Sequence, residues 1–177
     1  MTSGAPVIRP ARVEDAAAIA AIYAEHVLTG TASFDTVPRT GAETAERIGM
    51  ITERGWPFLV AEAGGEVLGY AYAAQFRDRP AYASTCENSI YIRADQVGRG
   101  IGRLLLGQLI ERATACGFRQ MIAVIGGDGP ASVALHASLG FTHAGRMKSV
   151  GRKFGRWLDT VYMQLELGAG DSIGPAD

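Results

Sequence analysis

The stretch from Asn88 to Leu106 constrains this chain most. It begins Asn88-Ser89-Ile90-Tyr91-Ile92, a strand pattern rich in β-branched and aromatic residues. A short polar turn follows, then Gly98-Arg99-Gly100-Ile101-Gly102-Arg103 and the apolar Leu104-Leu105-Leu106. Glycines at alternate positions let successive main-chain N–H groups approach an anion. The helix that follows aims its unpaired first-turn N–H groups and positive dipole end at the same point. Arg99 and Arg103 add guanidinium charge at the mouth. This is the outline of a phosphate cradle, although glycines also cluster in loops that only turn. No lysine and hydroxyl pair follows the glycines, which argues against a nucleoside triphosphatase. A Rossmann fingerprint occupies the first strand-to-helix turn of its unit, whereas about ninety residues of mixed pattern come first here. A pyrophosphate ligand bound in mid-domain fits what remains.

The chain has 177 residues, enough for one domain with a real core, and its 47% apolar and 20% charged content is that of a globular protein. A formal charge of -1 gives no electrostatic reason to expect nucleic acid or an anionic membrane as partner. Cys86 and Cys116 make neither a disulfide framework nor a metal pattern, and His26, His136 and His143 show no metal spacing, so no metal is expected. With no apolar run of membrane length and no signal-peptide pattern, a reducing cytoplasm is the expected setting.

In chain order, residues 7–10 read as a strand ended by Pro10, and residues 14–28 as a helix with Ile19, Ile22, Tyr23 and Val27 inward. Residues 29–38 follow neither period and are expected to form a loop or short turn overhanging a site. A second helix, residues 41–54, stops at Trp56-Pro57. Residues 58–62 and 66–76 form a hairpin about Ala63-Gly64-Gly65. After the glycine loop, Ile101, Leu104, Leu105, Leu109 and Ile110 give a helix its apolar face, closed by Gly117. Residues 121–125 are a nearly continuous apolar strand, and Pro130 opens a helix that Gly140 ends. Strands at about residues 142–150 and 157–167 flank a hairpin-like Gly151 to Gly155, and residues 168–177 are expected to be a disordered tail. Residues 1–167 thus read as one domain.

Strand, two helices, three strands, helix, strand, helix and two strands, with an anion loop after the fourth strand, resembles the GCN5-related N-acetyltransferases. The stretch Gly98 to Leu105 looks like that superfamily's acetyl-CoA loop, and residues 132–141 look like its second acyl-CoA motif. Within it the chain is similar to the phosphinothricin and methionine sulfoximine/sulfone acetyltransferases. The matching landmarks are Ala71-Tyr72-Ala73, Arg79-Pro80-Ala81-Tyr82, Glu87 to Ile92, His136 and Gly151 to Asp159. The resemblance implies an α/β (α+β) fold, a mixed, mostly antiparallel sheet of about seven strands flanked by four helices. It also implies acetyl-CoA as co-substrate and a homodimer.

The resemblance and the chemistry of amine acetylation nominate the site. Glu87 is a general base or ammonium anchor, the bland alternative being a solvated strand-end charge. Asn88 and Ser89 offer hydrogen bonds beside it. Arg77 and Arg79 would grip a substrate carboxylate, although two loop arginines balanced by Asp78 are as readily solvated. Tyr82 is expected to wall the pocket and Phe34 to cover it, unless these aromatics are core. His136 falls where many relatives carry a tyrosine that protonates the departing thiolate, and is either that acid, a hydrogen-bonding partner or structural. Cys86 beside Glu87 lacks the ordered partners of a nucleophile. Ile90, Tyr91 and Ile92 would turn main-chain N–H groups to the thioester, while Gly98, Arg99, Gly100, Ile101, Gly102 and Arg103 hold the diphosphate, with Gly129 and Ser132 on the pantetheine side. The chain departs from the superfamily at Val97, where glutamine or arginine is usual, and at Gly129, where a pantetheine-binding asparagine is common and main chain or Asp128 must substitute. The expected function is acetyl transfer to the α-amino group of a small amino acid or analogue. The alternatives are another small amine or a peptide N-terminus as acceptor, or a non-catalytic acyl-CoA-sensing module.

Overall fold

The computed structural model describes residues 4–127 and 129–174. Strand β1 (Val7–Pro10) leads through a 3-10 turn (Val13–Asp15) into α1 (Ala16–Thr29), followed by α2 (Gly41–Glu53), β2 (Phe58–Ala63) and β3 (Glu66–Gln75). A 3-10 turn (Pro80–Tyr82) precedes β4 (Thr85–Ile92), and another (Ala94–Gln96) precedes α3 (Ile101–Ala115). Then come β5 (Gln120–Gly126), α4 (Pro130–Ala137), β6 (Thr142–Lys153) and β7 (Arg156–Glu166). All seven strands form one sheet in the order β1-β2-β3-β4-β5-β7-β6, antiparallel except where β4 meets β5. This is the expected mixed sheet with its four helices.

The helix boundaries follow from local chemistry. Thr40 and Glu43 form a capping box on α2, with Glu43 N–H donating to Thr40 Oγ1 (3.2 Å) and Thr40 N–H to Glu43 Oε2 (2.7 Å). Helices α2, α3 and α4 all end on a left-handed glycine, at Gly55, Gly117 and Gly140. In each case the following N–H reaches back to a carbonyl of the last turn, as Phe118 does to Ala113 (3.2 Å).

Strands β2 and β3 are buried on both faces. Phe58, Val60, Tyr70 and Tyr72 pack with Ile19 and Ile48 of α1 and α2, while Leu59, Ala61, Ala71 and Ala73 pack with Leu105, Leu106 and Leu109 of α3. Each of these buried leucines contributes roughly 1.5–3 kcal/mol relative to exposure. The inner face of α3 differs from expectation: Leu106 is buried and Leu104 is half-exposed. Three successive leucines fit either phase, and the stripe of Ile101, Leu105, Leu109 and Ala113 at four-residue spacing decides it. At the start of the chain, Arg9 forks onto both oxygens of buried Asp15 (2.8 Å each) and reaches Glu62 through Nε (2.6 Å).

The expected hairpin loop from Gly151 to Gly155 is shorter than its sequence suggests. Gly151 pairs with Leu158 and Lys153 with Arg156, so the turn is only Phe154 and Gly155, both at positive φ (51° and 73°). In the stretch from Gly168, residues 168–171 lie in turns and residues 172–173 in bends, with Gly170 N–H donating to Leu167 O (2.9 Å). Residues 175–177 of that tail, and Asp128, lie outside the described residues.

Candidate active site

Strand β4 is paired unequally along its two edges. Toward β3 the register runs from Gln75↔Cys86 to Gly69↔Ile92, but toward β5 it ends at Asn88↔Ala123. Beyond that point β4 and β5 part, and β5 continues with β7 alone. Strands that part leave main-chain donors and acceptors facing the gap. The gap opens on a cavity of about 490 Å³ lined by residues 87–91 of β4, residues 123–126 of β5, residues 30–34, and Gly129, Ser132, His136, Arg156 and Thr160.

Glu87 lines this cavity and is half-buried. Burial pushes its carboxyl above the ordinary carboxylate range, while the charges of Arg77 and Arg47 pull it back only in part. Asn88 is buried beside it, with its Oδ1 3.0 Å from His136 Nε2 and its Nδ2 3.4 Å from Ile122 O. His136 Nδ1 lies 2.7 Å from Ser132 O, so that nitrogen donates. An Asn88 oxygen facing Nε2 suits a doubly protonated ring; the neutral ring that burial favours needs the amide turned over, at the cost of its bond to Ile122 O. Both histidine nitrogens are therefore engaged, and the ring edge meets Phe141 at 4.9 Å between centroids. Cys86 is fully buried and its thiol is pushed up by desolvation, away from thiolate chemistry.

The glycine loop has the shape its pattern implies. Gly98 and Gly100 both stand at φ 80° with open space where a Cβ would be, so glycine serves the backbone conformation at these two positions. No side chain caps the N-terminus of α3, which leaves its first-turn N–H groups for an anion. Arg99 and Arg103 are exposed beside it, whereas the Ile101 side chain is core and can offer a ligand only its main chain. A Cβ on Gly102 would meet Leu135 Cδ2 at 3.2 Å, so that glycine lets α3 pack against α4. The residues present fit a diphosphate.

A family model described as an acetyltransferase (GNAT) domain matches residues 8–162. The chain belongs to the GNAT acetyltransferases. The phosphinothricin N-acetyltransferase of Alcaligenes faecalis is 52% identical over 169 residues, covering 95% of this chain and 86% of that protein. The L-methionine sulfoximine/L-methionine sulfone acetyltransferase of Pseudomonas aeruginosa is 45% identical over 161 residues, covering 90% and 94%. A crystal structure of a GNAT phosphinothricin acetyltransferase from Sinorhizobium meliloti in complex with acetyl-CoA superposes with a TM-score of 0.95 at 48% identity, covering 100% of this chain and 95% of that one.

In this acetyltransferase the cavity brings together Phe34, Glu87, Asn88, Ser89, Ile90, Tyr91, Gly129, Ser132 and His136. Ile92 is not among its lining residues, and its carbonyl instead lies 2.8 Å from His26 Nε2. Arg77, Asp78, Arg79 and Tyr82 do not line it; they surround a separate, shallow hollow, although the charge of Arg77 reaches Glu87. The connection from β3 to β4 carries them outward, a path that residue identity alone does not encode. Thr31 and Arg156 on the cavity wall belong to the segment expected to overhang a site and to the landmark Gly151 to Asp159, whereas two neighbours had no signal in the sequence: Thr160 on the wall, and Arg47, which stacks on Tyr72 (4.9 Å) and donates to its hydroxyl (3.1 Å). Among the described residues there is no group of three or more His, Cys, Asp or Glu side chains able to hold a metal ion, and no helix long and apolar enough to cross a membrane.

Proposed function

We propose that this acetyltransferase moves the acetyl group of acetyl-CoA to the α-amino group of a small amino acid or analogue, of the phosphinothricin, methionine sulfoximine or methionine sulfone kind, by direct transfer. The observation that carries this reading is Glu87 on the cavity wall where β4 and β5 part. It sets a carboxylate with raised proton affinity beside a row of freed main-chain groups. Acetyl-CoA supplies the activated acyl group when bound; its diphosphate belongs at Gly98 to Gly102 with Arg99 and Arg103, and its pantetheine beside Gly129 and Ser132.

The chain's own residues do the rest. An amino acid arrives as an ammonium ion with a pKa near ~10 and becomes a nucleophile only after losing a proton, which Glu87 accepts directly or through water. Main-chain N–H groups near Ile90 and Tyr91 donate to the carbonyl oxygen as charge develops there; as the new C–N bond forms the C–S bond breaks, and the departing CoA thiolate takes up the proton lost by the amine, from Glu87 or through water. Asn88 and Ser89 orient the amine. His136, engaged at both nitrogens, holds Asn88 and the end of β4 beside Glu87, a better match to its contacts than protonation of the leaving thiolate. Arg77 lies outside the cavity lining, but its charge reaches Glu87, which supports a part in attracting the substrate carboxylate; Asp78, Arg79 and Tyr82, also outside it, would serve a site only from the partner subunit of a homodimer. Exposed Met147 and Val150 on β6, Phe154 in the turn and Trp157 on β7 supply an apolar surface for such a dimer. We place the enzyme in the cytoplasm, where acetyl-CoA is made and used.

A panel of amino acids and analogues, assayed by release of free CoA thiol, tests the assignment. Turnover of phosphinothricin, methionine sulfoximine or methionine sulfone is expected. Failure of all three while a peptide N-terminus reacts would remove the amino-acid assignment and leave the acyltransferase. Unchanged acetyl-CoA binding with no turnover of any amine would point to the sensing module.

A further inference from the structure

The wall formed by residues 30–34 has an unusual attachment. Among the described residues, no main-chain to main-chain hydrogen bond involves residues 31–39, and the last such bond of the segment is Gly30 N–H to His26 O (3.1 Å). A segment without ladder bonds keeps one conformation only if side chains fix it. Three devices do so here, and two of them come from distant sequence.

The first is Lys153, at the last position of β6. It is 6% exposed, and its Nζ donates to Ser33 O at 2.8 Å, across 120 positions of sequence. A buried ammonium is costly, and desolvation pulls the Lys153 pKa down against the opposing pull of Asp35. The second device is a slot for Phe34. A Cβ on Gly126 would lie 2.7 Å from Phe34 Cε1, and one on Gly151 would strike the other edge of the ring. Neither glycine has positive φ, so the missing side chains serve the ring rather than the backbone. On the inner side, Tyr23 ties the segment to α1 through Ser33 Oγ (2.9 Å) and Asp35 Oδ2 (2.5 Å).

We propose that Lys153 is a positioning residue for acyl transfer: by holding the Ser33 carbonyl while Phe34 sits between Gly126 and Gly151, it fixes the cavity wall that faces the acceptor amine. The proposal rests on the amino-acid acetylation reading for which ligand this wall serves. Without the latch the wall still covers the site part of the time, but the acceptor loses a rigid surface to lie against. The acyl end, held by β4, β5 and the glycine loop, is untouched.

The test uses the full chain with both substrates varied. Lys153→Met removes the donor at similar volume, and Lys153→Arg restores one. Loss of orientation of this kind should raise the amino-acid KM about tenfold or more in Lys153→Met, leave the acetyl-CoA KM within about twofold, and be partly reversed in Lys153→Arg. Gly151→Ala should show the same split, and adding it to Phe34→Ala should do no further harm, because the ring is what the new methyl strikes. Should Lys153→Met fail to fold, the Gly151→Ala pair carries the test. A folded Lys153→Met with unchanged amino-acid KM, or with both KM values raised alike, overturns the proposal. A second readout needs no substrate: chymotryptic cleavage after Phe34 should quicken about fivefold or more in both variants. If the wild type acetylates no amino acid, the functional reading fails while this measurement still judges the latch, and an unchanged cleavage rate refutes it.

Discussion

Replacing Glu87 by glutamine keeps the shape of a half-buried side chain on the cavity wall and removes only its capacity to take a proton. General-base catalysis by a positioned side chain is worth about 10²–10⁴ in rate, or roughly 2.7–5.4 kcal/mol of barrier, so Glu87→Gln should lower kcat by that factor. Acetyl-CoA affinity should stay within about twofold, because uniform binding and transition-state interactions separate in this way. In the wild type, burial raises the carboxyl and Arg77 lowers it. The acidic limb of the kcat/KM profile should therefore lie above the ordinary glutamate range, and Arg77→Met should move it further up. The sign for stability also follows. A carboxyl whose folded pKa exceeds its unfolded one holds more protons when folded, so its ionisation lowers stability as pH rises through that window, and the deficit persists above it. Glu87→Gln should thus be slightly more stable than wild type at neutral pH. Steady-state assays between pH 5 and 9, with thermal melts alongside, decide the matter; a variant retaining more than about a tenth of wild-type kcat refutes Glu87 as the base.

Asp15→Asn should cost about 2–3 kcal/mol in a urea titration, because it strands the Arg9 guanidinium against Glu62 alone. Since Arg9 holds the Asp15 carboxyl below its ordinary value, the wild-type contribution is complete above the unfolded pKa of about 3.9 and disappears as pH falls through the folded one. Gly100→Ala should lose about 1–2 kcal/mol from its left-handed backbone and weaken acetyl-CoA binding measured by calorimetry. Gly107→Ala, inside α3 with nothing within 4 Å of the new methyl, should gain roughly 0.5–1 kcal/mol and leave binding alone. Phe154→Asn should stabilise the hairpin by roughly 1 kcal/mol in the same titration, since asparagine accepts the φ of 51° that phenylalanine resists.

Much of this was readable from sequence because the signals were local. The glycine loop needs its φ values wherever it occurs, and Gly117 and Gly140 end helices by a rule that spans one turn. The alternation of Phe58 to Ala61 shows both faces of a buried strand within four letters. What could not be read was set by distance. Lys153 and Ser33 meet only because β6 is threaded to the far edge of the sheet, and Phe34 finds its slot between strands that follow it by about ninety and one hundred and twenty residues. Arg79 and Tyr82 carry the same residue types whether their loop faces the cavity or turns from it. Leu104 and Leu106 exchange roles because a run of identical side chains contains no phase of its own.

The parting of β4 from β5 has a bearing on how such an enzyme changes its diet. The groups it uncovers beyond Asn88 are peptide groups, present whatever residue occupies those positions, so of the transfer machinery only Glu87 depends on a particular side chain along that edge. On the reading proposed above, the acceptor lies instead against the tethered wall of residues 30–34, whose place is set by contacts from distant sequence. A chain built this way can acquire a new amine without relearning how to handle the thioester.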